Sequence, residues 1–578
     1  MQMKAPYLIL LLVFLGGMVT AQPAPTTAGE LLLDHRIQLS VDRLTDLDRQ
    51  PAFSRDFLLA DVRLKPEDPR RFYNFSGDLS GRYLEVMSLV PEQQRGTVDL
   101  RELVTGIIAE QKADGRFGDA SLSFTDGEIG GEHMALLWGN GRLLVGLMTY
   151  YEAHGDERAL AAARRLGDFF ISTAAACRQP AVVEQLKSFG AKGIICFTQY
   201  IEGLAMLAKV SDDDKYRRAA EANYDVLPPR GKQHSHGYLS TLRGVLLLHE
   251  LTGERGQLDY VRGLFNDLLA SDDHTRYGAV FEYFGGKEDA SDAGNAGERD
   301  EGCSSADFVR LALHLYQLTG EATYRAAGLD AIHNALLYNQ YASGDFGHHY
   351  FDDGVLRASN PRRSWWCCTM HGLRALIALK EDFSLSKEGQ THTLEHLMPQ
   401  RLTGAGYAFQ VELVKTDMER ATYVLTVSEW PADKLLRVRQ PTWGTDWSGL
   451  DIGQPEIGRA YLIQGKPGVH LYDKSDELMM TYPATPRAGY LRYGPYVLGI
   501  NQGSFVAEPD WSNQIDLTTL RATPSVPFGL TADFRHGGYP GIHSVNLVPM
   551  ANQLEKGHPY MRLVTGYTTE VVPVSPDR

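Results

Sequence analysis

Glu250-Leu-Thr-Gly-Glu254 and Gln317-Leu-Thr-Gly-Glu321 are near copies of one another, and Tyr151-Glu-Ala-His-Gly-Asp156 has the same shape. Each closes one stretch of helical apolar spacing and opens the next. The glycine suits a left-handed helix C-cap, and the acid after it suits the N-terminus of a following helix. Val210-Ser-Asp-Asp-Asp214 is a weaker fourth copy that lacks the glycine. Gly155, Gly253 and Gly320 lie 98 and 67 residues apart, which fits successive helical hairpins with long loops between them and is too irregular for a strict solenoid.

Outward from these connectors the apolar period stays helical from about Asp99 to Asp382, as in Leu100, Leu103, Val104, Ile107 and Ile108, which share one face. Antiparallel hairpins repeated over that length must bury their apolar faces against each other, and closing them into a ring leaves no exposed end repeat. The fold expected for residues 22–390 is therefore an α/α toroid, an (α/α)6 barrel. Its long loops, such as Arg276 to Asp300, should converge on one face to form a pocket. After about Gln390 the period becomes two. Tyr407–Val414, Ala421–Val427, Leu435–Gln440, Leu478–Tyr482 and Tyr496–Ile500 read as strands, so a β-sandwich is expected over residues 391–578. Beyond Gln502 the pattern blurs, and that tail is expected to pack on the sandwich or the toroid.

With 43% hydrophobic and 22% charged residues among 578, the composition excludes a disordered chain. The formal net charge of −15 opposes general phosphate binding and excludes nucleic acid as an expected partner. Met1–Ala21 carries one cation, Lys4, the apolar run Tyr7–Leu15, and then Val19-Thr20-Ala21, a secretory leader pattern with cleavage expected before Gln22. That run falls short of the roughly 20 residues of a bilayer span. No later segment is apolar enough to span, so the mature chain is expected to be periplasmic or secreted. Nothing in the sequence sets the oligomeric state.

Five cysteines, Cys177, Cys196, Cys303, Cys367 and Cys368, leave at least one thiol without a disulfide. Cys177 and Cys196 are close enough to pair, or stand as two buried thiols. Glu301-Gly-Cys303 opens one helix, and Trp365-Trp-Cys-Cys368 opens another about 64 residues later. One carboxylate and three thiols make a tetrahedral donor set whose softness favours zinc over magnesium or calcium. The other reading is a vicinal Cys367–Cys368 disulfide with an unrelated Cys303.

Glu301-Gly-Cys303 and the double Cys367-Cys368 resemble the zinc signature of glycoside hydrolase family 127, the β-L-arabinofuranosidase family, in which a cysteine is the glycosidic nucleophile. Trp138-Gly-Asn-Gly-Arg-Leu-Leu144, His236-Gly-Tyr238, Phe346-Gly-His348, Arg492-Tyr-Gly-Pro-Tyr-Val497 and Leu547-Val-Pro-Met-Ala-Asn552 resemble family landmarks in the family's order. The resemblance spans roughly Asn74 to Asn552. It implies the same toroid followed by a sandwich, Zn2+ held by Glu301, Cys303, Cys367 and Cys368, and Cys367 as nucleophile. Coordination would remove a thiol proton otherwise held up to a pKa of about 8.5.

In the family the acid and base is a glutamate in a Gly-Glu-x-Phe segment. Phe281-Glu282-Tyr-Phe284 supplies Glu-x-Phe with Phe281 in place of the glycine, 19 residues before Glu301. Glu288 is the competing candidate. Where the family commonly has Pro-Pro-Asn after the double cysteine, this chain has Thr369-Met370-His371, a departure that bears on specificity. Arg362-Arg363, just before Trp365-Trp366, either receives a sugar carboxylate or pairs with surface acids. His236, His348 and His349 are candidates to hydrogen-bond sugar hydroxyls, and Trp366, with Trp138 a weaker candidate, to wall the pocket.

These implications describe an exported, retaining exo-glycosidase that removes a terminal furanosidic sugar from plant cell-wall glycans. That sugar is β-L-arabinofuranose or a related pectic sugar, including a carboxylate-bearing one such as aceric acid. Two other classes stay open on the residues alone. One is a toroidal polysaccharide lyase or metal-free two-carboxylate hydrolase with structural cysteines. The other is a non-catalytic glycan-binding protein.

Overall fold

In the computed structural model Gly155, Gly253 and Gly320 all take left-handed backbone, with φ of 66°, 71° and 71°. Each N–H closes on a carbonyl four residues back, that of Tyr151, His249 or Tyr316, at 2.7 Å. The acids behave differently from one another. The Asp156 carboxylate accepts the Arg158 N–H at 3.0 Å and caps the next helix. Glu254 and Glu321 make no side-chain cap. Their own N–H groups donate instead to Thr252 Oγ1 at 3.1 Å and Thr319 Oγ1 at 3.2 Å. A glutamate is one methylene too long for the local ring that aspartate closes, so in Leu-Thr-Gly-Glu the threonine supplies the side-chain oxygen. In the fourth connector Val210 has φ −113° and forms no left-handed cap.

The structure describes residues 31–563 apart from 69–73, 97, 126, 189–192, 212, 228, 232, 276, 286–299, 353–354, 359–365, 474–488, 502–513, 537–538 and 553–559. The leader and the expected strand Leu478–Tyr482 lie outside the described residues. Six described helices form an inner ring: α1 (Asp78–Leu89), α2 (Gly131–His154), α3 (Tyr200–Lys209), α4 (Ser235–Thr252), α5 (Gly302–Thr319) and α6 (Trp366–Ala378). Each packs on the next, and α6 closes back onto α1. Outer helices Leu100–Ala109, Glu157–Cys177, Lys215–Glu221, Arg255–Leu269, Ala322–Ala331 and Leu33–Thr45 back the ring in that order. The toroid therefore begins well before Asp99. Helix α1 escapes apolar periodicity because Asp78 to Ser88 are buried on every side, between the ring neighbours and the outer layer. Its Gly81 lies so close to α2 that a Cβ would run into the Arg142 backbone.

Among the described residues the β-rich part forms three sheets. In one, Tyr407–Thr416 pairs antiparallel with Ala421–Glu429 in a register that puts Phe409, Val411 and Leu413 opposite Val427, Leu425 and Tyr423, all buried. A second, small sheet contains Leu435–Val438 and Thr391–Leu394 in parallel. The third gathers Tyr496–Asn501, Gln514–Ala522, Leu530–His536, Tyr539–Pro549 and Tyr560–Leu563, so the tail extends the sheet. It also takes in His349–Asp352 and Val355–Ala358, a hairpin from the loop between α5 and α6, which joins it through Tyr560–Leu563.

Two of the quoted motifs make the joint between the parts. Asn334, on a helix following α5, donates to the Pro495 carbonyl at 3.1 Å and accepts the Val497 N–H at 2.7 Å. Met550 packs with Val497, Ala335, Tyr338, Tyr277 and Ala279. The last two precede Glu282 by a few residues, so the β-rich part supports that segment from beneath.

Candidate active site

Glu301 is extended, with φ −137° and ψ 137°, and α5 starts at Gly302. A Cβ on Gly302 would meet Cys368 Cβ at 2.9 Å, so only glycine lets the N-terminal ends of α5 and α6 approach this closely. That approach brings Cys303 Sγ to 3.6 Å from Cys368 Sγ, and Cys368 Sγ to 3.8 Å from Glu301 Oε1. Donor atoms of Glu301, Cys303, Cys367 and Cys368 all lie within 4.8 Å of one another. Sulfurs at the zinc bond length of about 2.3 Å would stand roughly 3.8 Å apart on a tetrahedron, so the spacing fits the ion. No disulfide joins Cys367 to Cys368 or Cys177 to Cys196, and all four side chains are buried. Burial pushes the Cys177 thiol up to about 12.

The electrostatics point the same way. Burial pushes the thiols of Cys303 and Cys368 well above their ordinary value, with the neighbouring sulfurs adding to the effect at Cys303. Such thiols become ligands only when a cation replaces their protons. Two helix N-termini point their positive ends at the cluster, which favours anionic sulfur there. Of the three thiols, Cys367 is 7% exposed and the other two are fully closed off, so a substrate reaches Cys367 first.

The surroundings fix the carboxylates. Ser304 Oγ donates to Glu301 Oε2 at 2.7 Å, and Ser235 Oγ donates to Ser304 Oγ at 2.6 Å. Burial alone would raise the Glu301 carboxyl, but the imidazoles of His234 and His348 hold it below the usual carboxylate range. Glu282 lies on a short extended segment that bridges residues 233–235. The Ser235 N–H donates to its carbonyl at 2.9 Å, and Tyr283 pairs with His234. His234 Nε2 stands 3.8 Å from both Glu282 Oε1 and Glu301 Oε2, and the donor atoms of these three residues lie within 4.8 Å of one another. Glu282 is thus beside the cluster, at a mouth of the ring.

The histidine candidates separate. His348 Nε2 is 3.7 Å from Cys368 Sγ and 3.9 Å from Glu301 Oε1, against the cluster itself. It is held there because the Phe346 N–H donates to Thr369 Oγ1 at 3.1 Å, which gives the first residue of Thr369-Met370-His371 a structural task. His236 is buried, its Nδ1 bonded to Asp307 and its Nε2 without a partner among the described residues. Asp307 also receives Arg243, and His371 approaches it at 3.7 Å. Trp366 is half-buried and meets Phe53 and Phe57 edge to face. Arg362, Arg363, Trp365 and Glu288 lie outside the described residues, as does the His349 side chain.

Three residues at the site were not singled out from the sequence. His234 is the extended residue that precedes α4, and its ring centroid lies 6.0 Å from that of His236 on the helix's first turn. Asp78 and Arg82 form a buried pair at 2.8 Å, and Trp138 Nε1 donates to the same Asp78 oxygen at 2.8 Å. The Arg82 guanidinium lies within electrostatic range of Cys303 and Cys367. The signal was an i, i+4 acid–base pair in an otherwise buried helix.

Residues 37–381 match the family model described as β-L-arabinofuranosidase, GH127 catalytic domain. Among solved structures, the chain resembles a GH127 β-L-arabinofuranosidase from Geobacillus stearothermophilus T6, with TM-score 0.61 and 14% identity over 94% of this chain and 98% of that one. It also resembles a GH127 β-arabinofuranosidase with TM-score 0.64 and 14% identity, covering 95% of this chain and 96% of that one. At such identity the structures speak for the shared fold. A search of curated proteins gives no match.

Proposed function

Because the chain belongs to glycoside hydrolase family 127 and is a β-L-arabinofuranosidase-like glycoside hydrolase, we propose that it is a retaining exo-acting enzyme. In this reading it releases a terminal furanosidic sugar, β-L-arabinofuranose or a related pectic sugar, from plant glycans. The observation that carries this reading is the meeting of three thiols and Glu301 at two helix N-termini, with Cys367 alone of the thiols reachable and Glu282 alongside.

Zinc held by Glu301, Cys303, Cys367 and Cys368 would keep the Cys367 sulfur deprotonated at neutral pH. Cys367 attacks the anomeric carbon while Glu282 gives its proton to the departing glycosidic oxygen. Glu282, now a carboxylate, then takes a proton from the water that displaces the sulfur. Two inversions at one carbon return the original configuration. Arg82 and Asp78 hold the wall beside the sulfurs, and His234 stands between the two carboxylates to orient them. A nucleophile only 7% exposed supports attack on a chain end over attack within a polymer. A carboxylate-bearing sugar remains within the proposal through Arg362.

The leader supports export to the periplasm or outside the cell, and N-terminal sequencing of the exported protein should begin at Gln22. No described helix is long and apolar enough to cross a membrane.

The test pairs Cys367→Ala with Glu282→Gln on synthetic β-L-arabinofuranosides and pectic oligosaccharides, with metal content measured on the same preparations. Cys367→Ala should lose turnover and bind zinc less well, whereas Glu282→Gln should lose turnover and keep the metal. Full activity in both variants, or activity that survives chelation and thiol alkylation, refutes the mechanism.

A further inference from the structure

The ring has a second mouth, where the inner helices end, and a cavity of about 480 Å³ opens there. All six inner helices line it, from their middles to their C-terminal turns, while the thiol cluster occupies the N-terminal ends of α5 and α6. That volume lies in the range of small-molecule pockets, about 300–1,000 Å³.

Its floor is a buried layer of ions. Arg142, Arg243, Arg310 and Arg374 face the buried carboxylates Glu85, Glu202 and Asp307, and Arg374 also meets the exposed rim acid Asp382 at 3.9 Å. His236 and His371 in the layer above are held neutral by burial, so they add no charge to the layer. The strong pairs use up Arg142 and Arg243: Arg142 Nη2 reaches Glu202 Oε2 at 2.9 Å, and Arg243 Nη2 reaches Glu202 Oε1 at 3.0 Å.

The two remaining cations line the cavity and are less well served. Arg310, 10% exposed, meets Glu85 at 3.4 Å and both Glu202 and Asp307 at 3.9 Å, and Arg374 meets Glu85 at 3.4 Å and Asp382 at 3.9 Å, all longer than the pairs of Arg142 and Arg243. Arg310 Nη1 and Arg374 Nε and Nη1 have no hydrogen-bond partner among the described residues. Burial, with Arg243 and Arg374 alongside, pushes the Arg310 guanidinium down to about 9.

Above the floor the walls are apolar, with Leu89, Val145, Met206, Leu247 and Leu313 among them. At the rim the more exposed acids Glu152, Glu250 and Asp382 outnumber the one lysine among the described lining residues, Lys209, which stands 3.6 Å from Glu152, while His314 stands 3.2 Å from Glu250. A ligand for this shape carries one negative charge at its buried end, an apolar body, and no second charge at its outer end, where the rim acids would repel it. We propose that the cavity is a binding site for a small organic monoanion, a monocarboxylate with an apolar body, which enters by the mouth opposite the thiol cluster.

The test titrates octanoate into the full-length, zinc-loaded protein by calorimetry, against octanol and octanedioate. Arg310→Met removes the charge, and Met206→Trp fills the cavity from its wall without touching the ion layer or the thiol mouth. Octanoate should bind saturably at one site, with octanol and octanedioate weaker by about tenfold or more, the worth of one charge-assisted contact. Both variants should weaken octanoate by at least about as much, and Met206→Trp should keep wild-type glycosidase activity. If Arg310→Met does not fold, Met206→Trp decides alone. No saturable octanoate binding, equal binding of octanol, or unchanged binding in Met206→Trp overturns the proposal.

Discussion

The two mouths of the toroid are built from opposite ends of the same six helices, and they differ in every respect that matters to chemistry. At the N-terminal mouth the helices are reached through long segments, residues 270–301 before α5 and 340–365 before α6, and these bring thiols and carboxylates together. At the C-terminal mouth the chain turns back in a few residues, through Gly155, Gly253 and Gly320, and arginines collect beneath the turns. Parallel helices favour the anionic groups at the N-terminal mouth, where their positive ends face the thiols and Glu301, whereas the arginines lie mid-helix and are placed by their pairing with buried carboxylates. The lesson is a division of labour. Long loops can carry reactive groups because short connectors at the far end hold the helices in place.

Stripping the metal should give the largest separation between the mouths. Prolonged chelation is expected to abolish glycosidase activity, and zinc restored in stoichiometric amount should return it. Octanoate affinity at the other mouth should stay unchanged, because no thiol contributes to that cavity. Activity that survives with the metal content at zero breaks the assignment of the N-terminal mouth.

Next in size is the layer between the mouths. Arg243→Met leaves Glu202 with Arg142 and the more distant Arg310, and removes the closest cation from Asp307. Breaking one side of a buried ion network costs about 3–5 kcal/mol. The denaturant midpoint should fall accordingly with an unchanged slope, and a loss below about 1 kcal/mol would show that the layer is not needed to hold the ring.

These two experiments also mark the limit of what the sequence displays. The short connectors were legible because every determinant is local: the left-handed glycine and its carbonyl partner lie within five residues. Glu301, Cys303, Cys367 and Cys368 were legible as donors because thiols are rare in this chain. The ion layer was not, since Arg142 pairs with Glu202 and Arg243 with Asp307 across about 60 residues each. The inner helices hide for a related reason. Outer helix Glu157–Cys177 buries Ala159, Leu160, Ala163, Leu166, Phe169 and Phe170 at helical spacing, whereas α1 is buried all round and has no polar face to reveal a period. Thr252 and Thr319 gave no signal of their own, because a threonine in the last turn of a helix reads as an ordinary surface position while the acid two places on reads as a cap.

A smaller effect comes from acid. Burial pushes His236 down to about 3, against an ordinary value of 6.5. The unfolded chain takes up this proton below about 6.5, and the folded chain does not until about 3, so His236 favours the folded state above pH 6.5 and that stability drains away as pH falls toward 3. Between pH 6.5 and 5 the loss should be about 1–2 kcal/mol. His236→Gln should flatten that part of the stability profile, and an equally steep profile in the variant would assign the proton uptake elsewhere, to the thiols of the other mouth or to other buried imidazoles.

The smallest expected effects lie at the connectors, where they sharpen the division of labour most directly. A Cβ on Gly253 or Gly320 meets nothing within 4 Å, so alanine there is opposed by the left-handed backbone alone. Each substitution should cost about 1 kcal/mol. Thr252→Val removes the oxygen that receives the exposed Glu254 N–H and whose own hydrogen reaches the Leu248 carbonyl or Gln257 Oε1 at 2.9 Å, so its cost should be about 0.5–1 kcal/mol. In all three variants the thermal midpoint should drop while kcat and KM stay at wild-type values, since the connectors touch only the C-terminal mouth. A connector variant that lowers kcat at full occupancy of the folded state would mean that strain passes down the inner helices to Cys367, and that the two mouths are mechanically one.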